Sequence, residues 1–149
     1  MKITNGIMKY LLNTLNQAGF VEGATGPTGY AIYRNIRILQ DEVKDYDKVV
    51  DEALHKYGKQ SENGGYYIEQ TDEEAIKKFS DEVDPVAAIE LDIDLYQINR
   101  DDFIMPYCAT ATPAQYALIE EFFVLPEEEE EKVDENKEEV SEDEVKSEE

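Results

Sequence analysis

The chain has 149 residues, with 36 Asp/Glu, 14 Lys/Arg, one His and one Cys, for a formal net charge of −22. That length suits one domain, and that charge argues against direct binding to nucleic acid or anionic lipid. The apolar runs are too short to span a membrane, and a lone cysteine cannot close an internal disulfide, which suits a reducing compartment.

The opening Met1-Lys2-Ile3-Thr4-Asn5-Gly6 has no apolar signal-peptide core, and Asn13 and Asn16 interrupt the apolar residues after it. Residues 4 to 17 read as a short helix with Ile7, Tyr10, Leu11 and Leu15 on one face. Gly19 to Gly29 holds four Gly and one Pro and reads as a loop. The main element is predicted from Thr28 to Tyr57. Its apolar stripe is Ile32, Ile36, Leu39, Val43, Tyr46, Val50, Leu54 and Tyr57, at spacings of three and four. No Gly or Pro interrupts it, and Gly58 comes next as a stop. One rod of that size would be ~45 Å long, against a radius of gyration of ~13 Å for a domain of roughly this size. One end is therefore expected to project or to pack on a second copy.

Ser61 to Gly65 reads as a turn and Tyr66–Glu69 as a short strand. Thr71-Asp72-Glu73-Glu74 has the form of a capping box opening a helix that Pro85 ends, with Ala75, Ile76 and Phe79 inward. Ile89-Glu90-Leu91-Asp92-Ile93-Asp94-Leu95 alternates strictly and reads as a half-buried strand, with Tyr66–Glu69 its expected partner. Ile98 to Met105 reads as another extended piece. Thr112-Pro113-Ala114-Gln115 is a second capping box, opening a last helix to Val124 that uses Tyr116, Ile119, Phe122 and Phe123. From residue 126 onward there are 14 acids against 3 lysines. Such a composition buries nothing and predicts a disordered acidic tail. The expected fold is α+β over residues 1–125, with a long central helix, shorter packed helices and a small antiparallel sheet.

The opening hexapeptide, the run Tyr30-Ala31-Ile32-Tyr33-Arg34-Asn35-Ile36, Lys56-Tyr57-Gly58, the Glu90–Asp94 alternation and Thr112-Pro113-Ala114-Gln115 occur in that order. Together they resemble a group of small uncharacterised proteins from phages and prophages of Gram-positive bacteria, over residues 1 to 124. The resemblance implies a viral or prophage origin and a place in the host cytoplasm, with virion association as an alternative. It implies no catalytic residues, and the acidic tail departs from the group's shorter ending.

Catalysis needs a nucleophile, a tuned acid or base, or a metal. His55 falls near a helix C-terminus, where it suits the helix dipole. Cys108 sits among small residues, as buried cysteines do, and His55 is the one imidazole available to activate it. Asp92, Asp94, Asp101 and Asp102 offer oxygen ligands, but lack the glycine and closing glutamate of a calcium loop and read as a solvated face. No catalytic residue, metal site or cofactor is expected.

Two binding features stand out. Arg34 and Arg37 lie beside Tyr30 and Tyr33; the guanidinium fork matches phosphate and the rings can stack on bases. The plainer expectation is that both arginines pair with surplus carboxylates. The acids Asp41, Asp45, Asp51 and Glu52 on the helix and Glu90, Asp92 and Asp94 on the strand could form an acidic interaction face. The leading expectation is a non-enzymatic accessory protein acting through protein–protein contacts, with a phage or host protein or a second copy as partner, and oligomeric. The alternatives are an acidic, nucleic-acid-mimicking inhibitor of a host defence or nucleic-acid-binding protein, and a binder of phosphorylated small molecules such as nucleotides.

Overall fold

The computed structural model describes residues 1–127. The elements in chain order are β1 (Lys2–Thr4), α1 (Asn5–Leu15), α2 (Ala18–Gly23), α3 (Gly26–Glu42), α4 (Lys44–Tyr57), β2 (Lys59–Gln60), β3 (Tyr66–Tyr67), α5 (Glu73–Ala87), β4 (Glu90–Asp92) and α6 (Pro113–Phe123). The architecture is α+β, as the sequence predicts. The tail expected from residue 126 lies, from residue 128, outside the described residues.

The long rod is not one helix. It divides at Val43, whose ψ of −2° opens the helical ladder although Val43 N–H still reaches Leu39 O at 3.0 Å. No Gly or Pro marks the break, so packing must cause it. Val43 is buried in the core with Ile32 and Leu39. α3 lies against α1, whereas α4 lies against α5. Two different partners pull the two halves onto separate surfaces. The stripe itself is correct, since none of its eight residues is exposed. With the rod broken, excess length no longer argues for a second copy.

Other expectations shift locally. α1 is capped by Thr4, whose Oγ1 accepts from Ile7 N–H at 3.2 Å. Its inward face is Met8, Leu11, Leu12 and Leu15, while Ile7 and Tyr10 are exposed. The glycine-rich stretch contains α2, and Phe20 on it is fully buried. Gly19 permits this: a Cβ there would lie 2.6 Å from Cys108 Cα and 2.8 Å from Tyr107 O. α5 is capped by Asp72 rather than Thr71, because the Asp72 carboxylate accepts from Ala75 N–H at 3.1 Å. It runs through Pro85 to Ala87, since a proline this close to the C-terminal end removes only one late hydrogen bond. Ile76 is exposed and Val83 takes the inward position.

The strand partners also differ. β4 pairs antiparallel with β1, in the register Ile3 to Leu91. The Met1 amino group extends that pairing, donating to Asp92 Oδ1 at 3.0 Å and to Ile93 O at 2.9 Å. β3 pairs instead with β2 across the short turn, where Gly64 adopts φ +87°. The alternation expected over residues 89–95 is right in burial from Glu90 onward, with Ile93 and Leu95 inside and Glu90, Asp92 and Asp94 exposed, but Ile89, expected on the inner face, is exposed.

The predicted box on α6 is complete. Thr112 Oγ1 accepts from Gln115 N–H, and Gln115 Oε1 accepts from Thr112 N–H at 3.0 Å. Thr112→Ala should therefore lower stability by about 1 kcal/mol. A chemical-denaturation midpoint that does not move would contradict that role.

Candidate functional site

After β4 the chain lies along α3, and a single 3-10 turn, Arg100–Asp102, interrupts the extended piece expected over Ile98–Met105. Two buried polar side chains of α3 hold it there. Asn35, fully buried, accepts from Tyr96 N–H through Oδ1 at 2.7 Å and donates from Nδ2 to Tyr96 O at 2.9 Å. Thr28, also buried, accepts from Ile104 N–H at 2.8 Å and donates to Asp102 O at 3.3 Å. Asn35 meets the earlier part of the segment and Thr28 the later part, so segment and helix are antiparallel. The side-chain amide acts as a strand neighbour would, satisfying both backbone groups of one residue.

That double bond fixes where the Tyr96 ring stands. The ring meets Tyr30 edge-on, with centroids 5.2 Å apart. Arg34 lies over it, with its guanidinium carbon 5.5 Å from the centroid, and donates to Tyr30 Oη at 3.0 Å. An exposed cation–π contact of this kind contributes about 0.5–1 kcal/mol. The structure thus joins Tyr30 and Arg34 through Tyr96, a residue that the local sequence gives no reason to select.

Tyr33 turns the other way, and its hydroxyl donates to Val21 O at 3.4 Å. Arg37 stands about one turn further along α3, exposed, with no hydrogen bond or ion pair among the described residues. The expected pairing of both arginines with carboxylates is not found among those residues. Seven other basic side chains do pair with carboxylates: Lys9, Lys44, Lys56, Lys59, Lys77, Lys78 and Arg100.

The surroundings are apolar for a surface. Tyr30 and Tyr33 are each 53% exposed, Ile104 72% and Tyr107 81%. Ile104 belongs to the Thr28 clasp, and Tyr107 lies on the segment that packs against Gly19 and Gly23 of α2.

The acids are more dispersed. Asp41 lies at the end of α3 and Asp45, Asp51 and Glu52 lie on α4, while Glu90 and Asp92 lie on β4 and Asp94 just beyond it. All seven are exposed. Lys44 lies 2.8 Å from Asp41, and its hydrogen bond holds that carboxyl below the ordinary range. The shallow groove of about 560 Å³ on α4 mixes Lys44 and Lys48 with Asp47, Asp51 and Glu52, so the carboxylates there are interleaved with cations.

Cys108 and His55 are held by different elements. Cys108 is buried, with Sγ 3.5 Å from Gln17 Oε1 and 3.3 Å from Thr110 Oγ1. The Thr110 hydroxyl draws the thiol below its usual range. His55 lies in the last turn of α4, its Nδ1 2.7 Å from Asp51 O and its ring 3.9 Å from that of Tyr66. Among the described residues no three His, Cys, Asp or Glu side chains are grouped to hold a metal ion. No helix there is long and apolar enough to cross a membrane. No protein-family model, curated protein or solved structure matches the chain.

Proposed function

We propose that this chain is a non-enzymatic accessory protein that recruits a protein partner through the face built on Tyr30, Arg34 and Tyr96. One observation carries the reading. A chain with a large surplus of acids leaves two arginines of one helix without carboxylates among the described residues, amid exposed tyrosine and isoleucine. Tyrosine and arginine contribute disproportionately to protein interfaces, because each combines apolar area with a directed polar group. Here the arginine is already oriented by two rings, which lowers the entropy lost on docking. The resemblance of the sequence to phage and prophage proteins supports looking for that partner among phage or host proteins.

The test compares partner capture by the wild-type chain and by Tyr30→Ala/Arg34→Ala, using lysate of a Gram-positive host, with affinity then measured on the captured species. The double variant should bind at least about thirtyfold more weakly, the equivalent of about 2 kcal/mol. Its circular dichroism should be unchanged, because both side chains lie on the surface. A variant with Asp41, Asp45, Asp51 and Glu52 amidated should bind normally. Loss of binding in the amidated variant, with Tyr30→Ala/Arg34→Ala unaffected, would move the function to acidic mimicry.

A further inference from the structure

We infer that the face of Tyr30, Arg34, Arg37 and Tyr96 is also the docking site of the chain's own acidic tail, residues 128–149. This rests on the proposed function, because the tail would then compete with the partner for one surface. Charge is the first argument. Of the eleven basic side chains in residues 1–127, seven are matched to carboxylates. Among the remaining four, Lys2 and Lys48 stand on β1 and α4, and Arg34 and Arg37 alone share one helical turn. Two guanidinium forks at that spacing suit successive carboxylates of a glutamate run.

Place is the second argument. The chain leaves the fold beside this face. Val124 bridges Ile98, and Leu125 N–H donates to Ile98 O at 3.0 Å, two residues from Tyr96. Glu127, first of the five consecutive glutamates 127–131, already lies 3.9 Å from Arg100 Nε. Residues 128–149 could span at most about 75 Å of fully extended chain, so their length is enough to reach this face. A short tether raises the effective concentration to roughly millimolar, so a weak intrinsic attraction suffices. The body's own surplus of acids opposes docking at long range, but salt screens that repulsion beyond about 8 Å under physiological conditions.

The test uses the full chain with a nitroxide on Val133→Cys, in a Cys108→Ser background, and reads paramagnetic broadening of backbone amides. Broadening at Tyr30, Arg34, Arg37 and Tyr96 should exceed that on α4 and α5 several-fold. It should fall to the α4 level in R34Q/R37Q, and also at high salt. Broadening that is uniform, absent or unchanged in R34Q/R37Q would overturn the inference. So would broadening that appears only when labelled and isotope-enriched molecules are mixed, because the tail would then dock on a second copy. Partner capture and tail docking are separate measurements. A docked tail with no partner defeats only the proposed function, and a bound partner with an undocked tail defeats only this inference.

Discussion

Asn35→Leu should be among the most damaging single substitutions, costing about 3 kcal/mol or more. The leucine is close in size, so the loss comes from polarity and not from volume. Both backbone groups of Tyr96 lose their partner at once, and each part-buried group left unmatched costs about 1–3 kcal/mol. The urea midpoint should fall while the slope of the transition stays near the wild-type value. Asn35→Asp separates the two bonds. Its carboxylate still accepts from Tyr96 N–H but faces Tyr96 O with no proton to donate. Burial should raise the folded-state pKa of the new acid above its unfolded value of about 3.9. The protonated form is then the better tolerated one, and this variant should lose stability as pH rises above the ordinary carboxylate range. A flat pH dependence, or a midpoint within experimental scatter of wild type, would remove Asn35 from its supporting role. Partner binding should weaken as well, since Tyr96 and the cation above it depend on that clasp.

The same residue shows what the sequence reveals and what it conceals. Periodicity depends on many positions at once, so the stripe from Ile32 to Tyr57 and the alternation over residues 90–95 are legible. The break at Val43 is not, because Val43 fits a helical stripe whether the helix continues or turns there. Only the separate partners, α1 for α3 and α5 for α4, decide the matter. Capping signals behave likewise. Thr112 and Gln115 bond each other locally, and sequence finds them. Thr71 and Asp72 compete for one helix end, and the aspartate one place on takes it. Strand pairing is the least local property of all. β4 joins β1 across nearly ninety residues, and no pattern within either strand specifies the other. At the candidate site, Tyr30, Tyr33, Arg34 and Arg37 are visible as a cluster in one helix, yet the structure joins only the first and third through a ring. Tyr96 and Asn35 are sixty-one positions apart, so only their juxtaposition marks them.

Phe20→Ala should cost about 3–5 kcal/mol, the usual range for emptying a fully buried aromatic site. Composition argues the opposite, because four glycines and a proline between residues 19 and 29 suggest a dispensable loop. Phe20 is nonetheless 0% exposed and belongs to the main core. Its ring meets Tyr116 of α6 edge-on, with centroids 5.6 Å apart and planes at 72°. Tyr116 in turn holds the backbone of Cys108 at both ends: its hydroxyl donates to Cys108 O at 2.8 Å and accepts from Cys108 N–H at 2.9 Å. The adjoining Gly19 brings α2 against that same backbone. Removing the Phe20 ring therefore opens a cavity at the point where α2, α6 and the 103–111 segment meet. Phe20→Leu keeps most of the volume and should lose much less. Hydrogen exchange should then report more than a general loss of stability. Amides of α2 and of residues 107–109 should exchange faster even without denaturant, while α4 and α5, which pack on each other, should change little. An even acceleration over all helices would mean that Phe20 contributes bulk alone and that α2 is not an anchored element.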